Sequence, residues 1–205
     1  LSVVVRKVSF NVPQHILNVF EHFGVIRADR PAAAWRTEVL LQTLPAPGGL
    51  YQEHLVVERL AHRVSELPNI DGDLADACWD NRSPLRFVTD EQTVDEQSVA
   101  HLRSDEDNLY IAYRRTAALK DGTPIPWHAH AKGEDAAVWD DDSLNIRLKK
   151  AGKREGLYLY ISASGATFDG RSAHSIGTDP RWNGEWSCEV RTSDHVWQAE
   201  VAVPW

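Results

Sequence analysis

From residue 51 onward the chain alternates apolar and polar residues with a period of two, the pattern of half-buried strands. In residues 142–149, Leu144, Ile146 and Leu148 share one face, while Ser143, Asn145, Arg147 and Lys149 share the other. Residues 108–114 set Leu109, Ile111 and Tyr113 against Tyr110, Ala112 and Arg114, and residues 185–192 set Trp186, Cys188 and Val190 against Ser187, Glu189 and Arg191. Strands are predicted over 54–60, 98–103, 108–115, 142–149, 156–163, 185–192 and 195–203. The connections are too short for helical crossovers, so the pairing is predicted to be antiparallel. Strands with one packed and one wetted face build sandwiches.

The first 50 residues follow a different pattern. A β-branched run over 3–8 predicts an opening strand, and Asn11, Val12 and Pro13 form a helix start. Ile16, Val19, Phe20 and Phe23 follow at helical spacing, with Gly24 where a helix would stop. Asp29 and Pro31 repeat the start signal, and residues 31–44 predict a second helix that packs through Trp35, Val39 and Leu40. Pro45, Ala46, Pro47, Gly48 and Gly49 end it and mark the strongest boundary in the chain. The predicted organisation is a helical segment of unassigned role over 1–50 and a β domain over 51–205. The fold class is therefore mostly β, an antiparallel β-sandwich of jelly-roll-like form preceded by a short α-helical segment.

A chain of 205 residues holds one domain with a real core, with or without an appendage. The formal charge of −8 argues against a nucleic-acid partner, which would favour a basic face. Residues 69–205 carry that acidity, with fifteen Lys/Arg against twenty-four Asp/Glu. No apolar run is long enough to span a bilayer, and no signal peptide is legible. The sequence starts at Leu1 and contains no Met, which reads as a piece of a longer protein. Cys78 and Cys188 exclude a disulfide framework and a four-cysteine zinc site; they are either two small buried thiols or a single bridge.

The chemistry concentrates at Val138, Trp139, Asp140, Asp141 and Asp142, an indole and three carboxylates leading into a strand. Sugars present apolar C–H faces and a rim of hydroxyls, so a site for them joins a flat ring to a few fixed polar groups. Trp139 is either a stacking platform beside a loop or a core aromatic; on the first reading Asn145 and Arg147 are its hydroxyl partners and Trp182 a secondary surface. Trp186 and Trp197 read as core residues. His128 and His130 share one face of an extended segment, yet no third metal ligand is legible, and two loop imidazoles are the simpler reading. A glycosidase needs two carboxylates across the scissile bond; Asp140 with Asp142, or Asp169 with Glu189, are the available pairs, and no spacing singles either out.

Several of these segments also resemble a known family. Ile70, Asp71 and Gly72 followed by Asp73, Asp76 and Trp79 resemble the opening of carbohydrate-binding module family nine. Further matches follow in order at 99–103 with 107–113, at 139–146, at 158–161 with Gly165, Phe168 and Asp169, and at 197–205. The resemblance covers roughly residues 54–205 and implies an antiparallel β-sandwich that binds oligosaccharide or polysaccharide without catalysis. It also implies an extracellular or periplasmic location and a catalytic domain elsewhere in the parent chain. Family members clamp a sugar between two Trp side chains, of which one matches Trp139; the second falls beyond the stretch matching Trp205. The clamp's carboxylate matches Asn145, which can bond a hydroxyl without bringing charge, and its basic group falls near Tyr160. No cofactor is expected. The acids at Asp140, Asp141 and Asp142 fit either the structural calcium such modules often carry or, more simply, a solvated acidic loop.

Overall fold

The computed structural model describes residues 37–44, 53–57, 62–63, 66–80, 84–88, 94–150, 155–172 and 178–204. The strands are β1 (Thr37–Leu44), β2 (Glu53–Val57), β3 (His62–Arg63), β4 (Leu85–Val88), β5 (Val94–Ser104), β6 (Asn108–Thr116), β7 (Leu119–Lys120), β8 (Thr123–Pro124), β9 (Ser143–Lys150), β10 (Gly156–Ser162), β11 (Thr167–Ser172), β12 (Thr178–Asp179), β13 (Ser187–Thr192) and β14 (Val196–Pro204). Helix among the described residues amounts to short 3₁₀ turns, Ala77–Trp79 and Val138–Asp140.

One sheet runs β12-β11-β10-β9-β1-β2, and a second runs β13-β14-β6-β5-β3 with β4 also on β5. All pairings are antiparallel except β3 with β5. Leu144, Ile146, Leu148, Leu159 and Ile161 from the first sheet join Leu102, Leu109, Ile111, Tyr113, Trp197 and Val201 from the second in one buried cluster. Tyr113 sits at its centre, edge-on to Phe87 at 5.6 Å and to Trp197 at 5.0 Å. Such T-shaped contacts add directional attraction to the burial of area.

All seven strands predicted from alternation are present, with ends that coincide or differ by up to four residues. The helix predicted over 31–44 is corrected: Thr37–Leu44 is a strand between β9 and β2. Thr37, Val39 and Thr43 are β-branched, and eight residue pairs with β9 plus five with β2 employ the backbone on both edges. This strand lies on the N-terminal side of the Pro45 to Gly49 punctuation and is nonetheless a sheet member. The opening strand and first helix predicted over 3–23 fall outside the described residues.

Two expectations of a wetted strand face are also corrected. Tyr110 and Ala112 on β6 are buried beneath Trp79, with Ile70, Leu74, Cys78 and Ala202 packed around them. Residues 70–79 therefore form a layer over the outer face of the second sheet. On β9, Ser143, Asn145 and Arg147 are buried as well, so that strand is covered on both faces. The alternation of β13 holds, with Ser187, Glu189 and Arg191 exposed and Cys188 and Val190 half-buried.

Glu200 fastens the outer layer. It lies fully buried on the side of β14 away from Trp197 and accepts three N–H donors. Its Oε2 takes the Asp71 and Gly72 amides at 3.0 and 2.9 Å, and its Oε1 takes the Trp79 indole at 2.6 Å. Arg191 adds bonds to the Asp71 carbonyl and the Asp73 carboxylate, and Gln198 donates to the Gly72 carbonyl. Gly72 has φ +77°, and a Cβ there would lie 3.0 Å from Arg191 Cγ and 3.2 Å from the Val190 carbonyl carbon. The turn can approach β13 so closely only because it lacks a side chain.

Candidate aromatic binding face

Trp139 is 50% exposed, and its turn is held from several sides. Val138 is fully buried and fixes the turn, while Ala136 N–H donates to the Thr167 carbonyl at 3.0 Å and Asp141 N–H to the Val138 carbonyl at 3.2 Å. Burying Val138 leaves the neighbouring indole directed outward. Its ring meets Phe168 edge-on at 5.5 Å, and Phe168 meets Tyr160 at 6.0 Å. Tyr160 and Phe168 are direct cross-strand partners of β10 and β11, so both stand on the same face of the sheet. The result is a row of three rings, two of them half-buried and the third open.

Two of the three carboxylates after the indole serve the loop. Asp141 is 2% exposed and accepts from the His130 and Ala131 amides at 2.9 Å each and from Ser162 Oγ at 2.5 Å. Burial pushes its carboxyl upward, but the Ser162 hydroxyl and the two amides outweigh it and hold the group below its ordinary value. Asp142 accepts the His128 amide at 2.8 Å and donates its own amide back to the His128 carbonyl. Asp140 alone is exposed. The acidic run thus clamps the 128–131 segment to the start of β9.

Asn145 lies beside Tyr160 in the sheet, and Arg147 beside Tyr158, with the guanidinium 5.3 Å from that ring's centre. Both were expected to meet solvent as hydroxyl partners. Their exposures of 0% and 5% place them beneath the surface instead. Trp182, expected as an exposed second platform, is half-buried and packs against the main core. Its ring lies over Gly184 so closely that a Cβ there would fall 2.3 Å from Cη2. Trp186 is half-buried too, with its indole N–H bonded to Asp169 at 2.7 Å. Trp197 is fully buried.

His128 and His130 are exposed, with their rings edge-on at 5.8 Å. Among the described residues, no three His, Cys, Asp or Glu side chains converge well enough to hold a metal ion. Cys78 and Cys188 are both free thiols, half-buried rather than fully enclosed. Phe168, the ring that joins Trp139 to Tyr160, was given no role from sequence. Its place two residues after Ala166 in a short strand carried no periodic signal. Only the β10–β11 register puts it opposite Tyr160.

No helix among the described residues is long and apolar enough to cross a membrane. No protein-family model and no curated protein matches this sequence. One solved structure, of a Bacteroides uniformis protein whose name assigns it carbohydrate binding, is similar at TM-score 0.53 and 13% identity. The likeness covers 70% of this chain and 71% of that one, and at such identity it establishes a shared antiparallel β fold.

Proposed function

We propose that this chain is a non-catalytic carbohydrate-binding module of the family-nine type, tethering a longer secreted protein to oligosaccharide or polysaccharide. The observation that carries the reading is the open Trp139 indole on a turn anchored by Val138 and Asp141. A rigid half-exposed ring offers a sugar's C–H face a surface whose ordering cost is already met. Phe168 braces it, the half-buried Tyr160 brings a phenol hydroxyl, and the exposed Asp140 brings a carboxylate. Asn145 and Arg147 support the face from beneath rather than touching ligand. The fold of the Bacteroides neighbour and the ordered motifs over 70–205 agree with this reading.

Covering the exposed half of an indole removes on the order of 100 Å² from water, worth about 1–2 kcal/mol after ordering costs. Calorimetric titration with gluco-, xylo- and manno-oligosaccharides is the test. Binding to one of them should weaken about 5- to 30-fold in Trp139→Ala. Unchanged heat in that variant, or no heat with any oligosaccharide, removes the proposal. The burial of Asn145 and Arg147 favours a second reading, an interaction domain without a sugar ligand. That reading falls if an oligosaccharide perturbs Trp fluorescence saturably.

A further inference from the structure

A second concavity lies away from the aromatic row, where β11 of one sheet faces β13 of the other. It is a cleft of about 400 Å³, lined among others by Glu134, Asp135, Thr167, Asp169, Asn183 and Trp186. Its walls are tied in place. Loop residue Gly133 accepts the Thr167 amide at 3.0 Å, and the Ala136 amide bonds back to the Thr167 carbonyl at 3.0 Å. On the opposite wall, Asp169 Oδ2 accepts the Gly184 amide at 3.0 Å and the Trp186 indole at 2.7 Å.

The lining contains three carboxylates and no Lys, Arg or His. Asp169 is 8% exposed, and its second oxygen, Oδ1, accepts no hydrogen bond although it is sealed from solvent. A buried carboxylate oxygen without a donor is costly, and a ligand donor that reaches it recovers that cost. The cleft is far larger than a bare cation needs and falls within the size range of small-molecule sites. The acidic side chains among the described residues also do not converge as metal ligands would. Beside the acids stand groups suited to hydroxyls, the Thr167 hydroxyl and the Asn183 amide, together with the half-buried Trp186 ring.

We propose that this cleft binds a protonated amino sugar. The ammonium group would engage Asp169 with Glu134 or Asp135, and the ring hydroxyls would engage Thr167 and Asn183. The exposed carboxylates would make the first contact, and the lining would have to shift for the amine to reach Asp169 Oδ1, which the structure shows sealed from solvent. The site is separate from the Trp139 face and does not depend on it.

The test is calorimetric titration of the full chain with glucosamine oligomers at mildly acidic pH, beside their N-acetylated counterparts, cadaverine and calcium ions. Glucosamine oligomers should bind at least about tenfold more tightly than the N-acetylated forms, because only the former bring a charge-assisted donor. Added salt should weaken that binding. Asp169→Asn should lose about tenfold or more, and Glu134→Gln with Asp135→Asn a similar factor. The double variant changes only exposed side chains and decides the matter if Asp169→Asn fails to fold. Equal binding of the N-acetylated oligomers, no binding of glucosamine oligomers, or full affinity in the double variant overturns the proposal. Cadaverine binding as tightly as glucosamine oligomers overturns the sugar part, and calcium displacing the amine from the cleft overturns it in favour of a metal site.

Discussion

Replacing Glu200 tests the account of how residues 70–79 are held. Glu200→Ala removes the acceptor of three N–H donors, the amides of Asp71 and Gly72 and the indole of Trp79, at 2.6–3.0 Å. A hydrogen bond to a charged group contributes about 1.5–3 kcal/mol, and a buried donor left unpaired costs about 1–3 kcal/mol. Water can enter the space of the lost side chain and recover part of this, so the net loss is about 3–5 kcal/mol. Glu200→Gln preserves the shape but accepts through one oxygen only. It can keep the two turn amides or the indole, and its NH₂ must then face another donor, a loss of about 1.5–3 kcal/mol. Urea unfolding followed by Trp fluorescence should rank the parent above Glu200→Gln and that above Glu200→Ala. The melting temperature of the alanine variant should fall by about 6–20 °C. Hydrogen exchange at the Asp71 and Gly72 amides should accelerate in both variants. If Glu200→Ala unfolds within about 0.5 kcal/mol of the parent, the size of an ordinary surface substitution, the latch is not what holds this layer.

Other consequences concern pH, backbone and thiols. Because Asp141 is held below its ordinary value in the fold, its stabilisation is present above the unfolded value and is lost as pH falls through the folded one; Asp141→Asn should flatten the acid limb of a stability–pH profile. Glu200 has the opposite sign: burial, only partly offset by its donors, raises its carboxyl, so stability from this group is complete below the unfolded value and declines as pH rises through the folded one. Glu200→Gln should abolish that decline in the same profile. Gly72→Ala combines φ +77° with a Cβ 3.0 Å from Arg191 Cγ, so chemical denaturation should show a loss of about 1–3 kcal/mol. Burial raises the Cys78 thiol to about 11, aided by Asp76, and the Cys188 thiol to about 12. Alkylation of the native protein near neutral pH should therefore be slow at both and become fast on unfolding, as read by mass spectrometry.

Much of this protein is legible in its sequence because period-two alternation over 98–203 is a local signal, and local signals survive any tertiary arrangement. Strands β5, β6, β9, β10, β13 and β14 were placed that way, whereas the sequence left Trp139 open between an exposed ring and a core ring, and the fold exposes it. The stretch 37–44 was misread because Val39, Leu40 and Leu41 fit a helix or a strand equally well, and pairing with β9 and β2 decides between them. Which polar residues meet water was legible only in part: β13 keeps its predicted alternation, whereas polar residues of β9 and β14 are buried. Asn145, Arg147 and Glu200 alternate as surface residues should, yet a further layer of chain covers Glu200, and the face carrying Asn145 and Arg147 is likewise closed to solvent. The run at Asp140, Asp141 and Asp142 announces chemistry in sequence, whereas the fold assigns two of these acids to backbone amides fourteen or fewer residues away. The partnership of Trp139 with Phe168 and Tyr160, and the meeting of Glu134 with Asp169, depend on strand register and on how two sheets face each other. Alternation records only which way each residue points along its own strand; what stands opposite it is settled by non-local contacts, and that is where the binding surfaces of this protein arise.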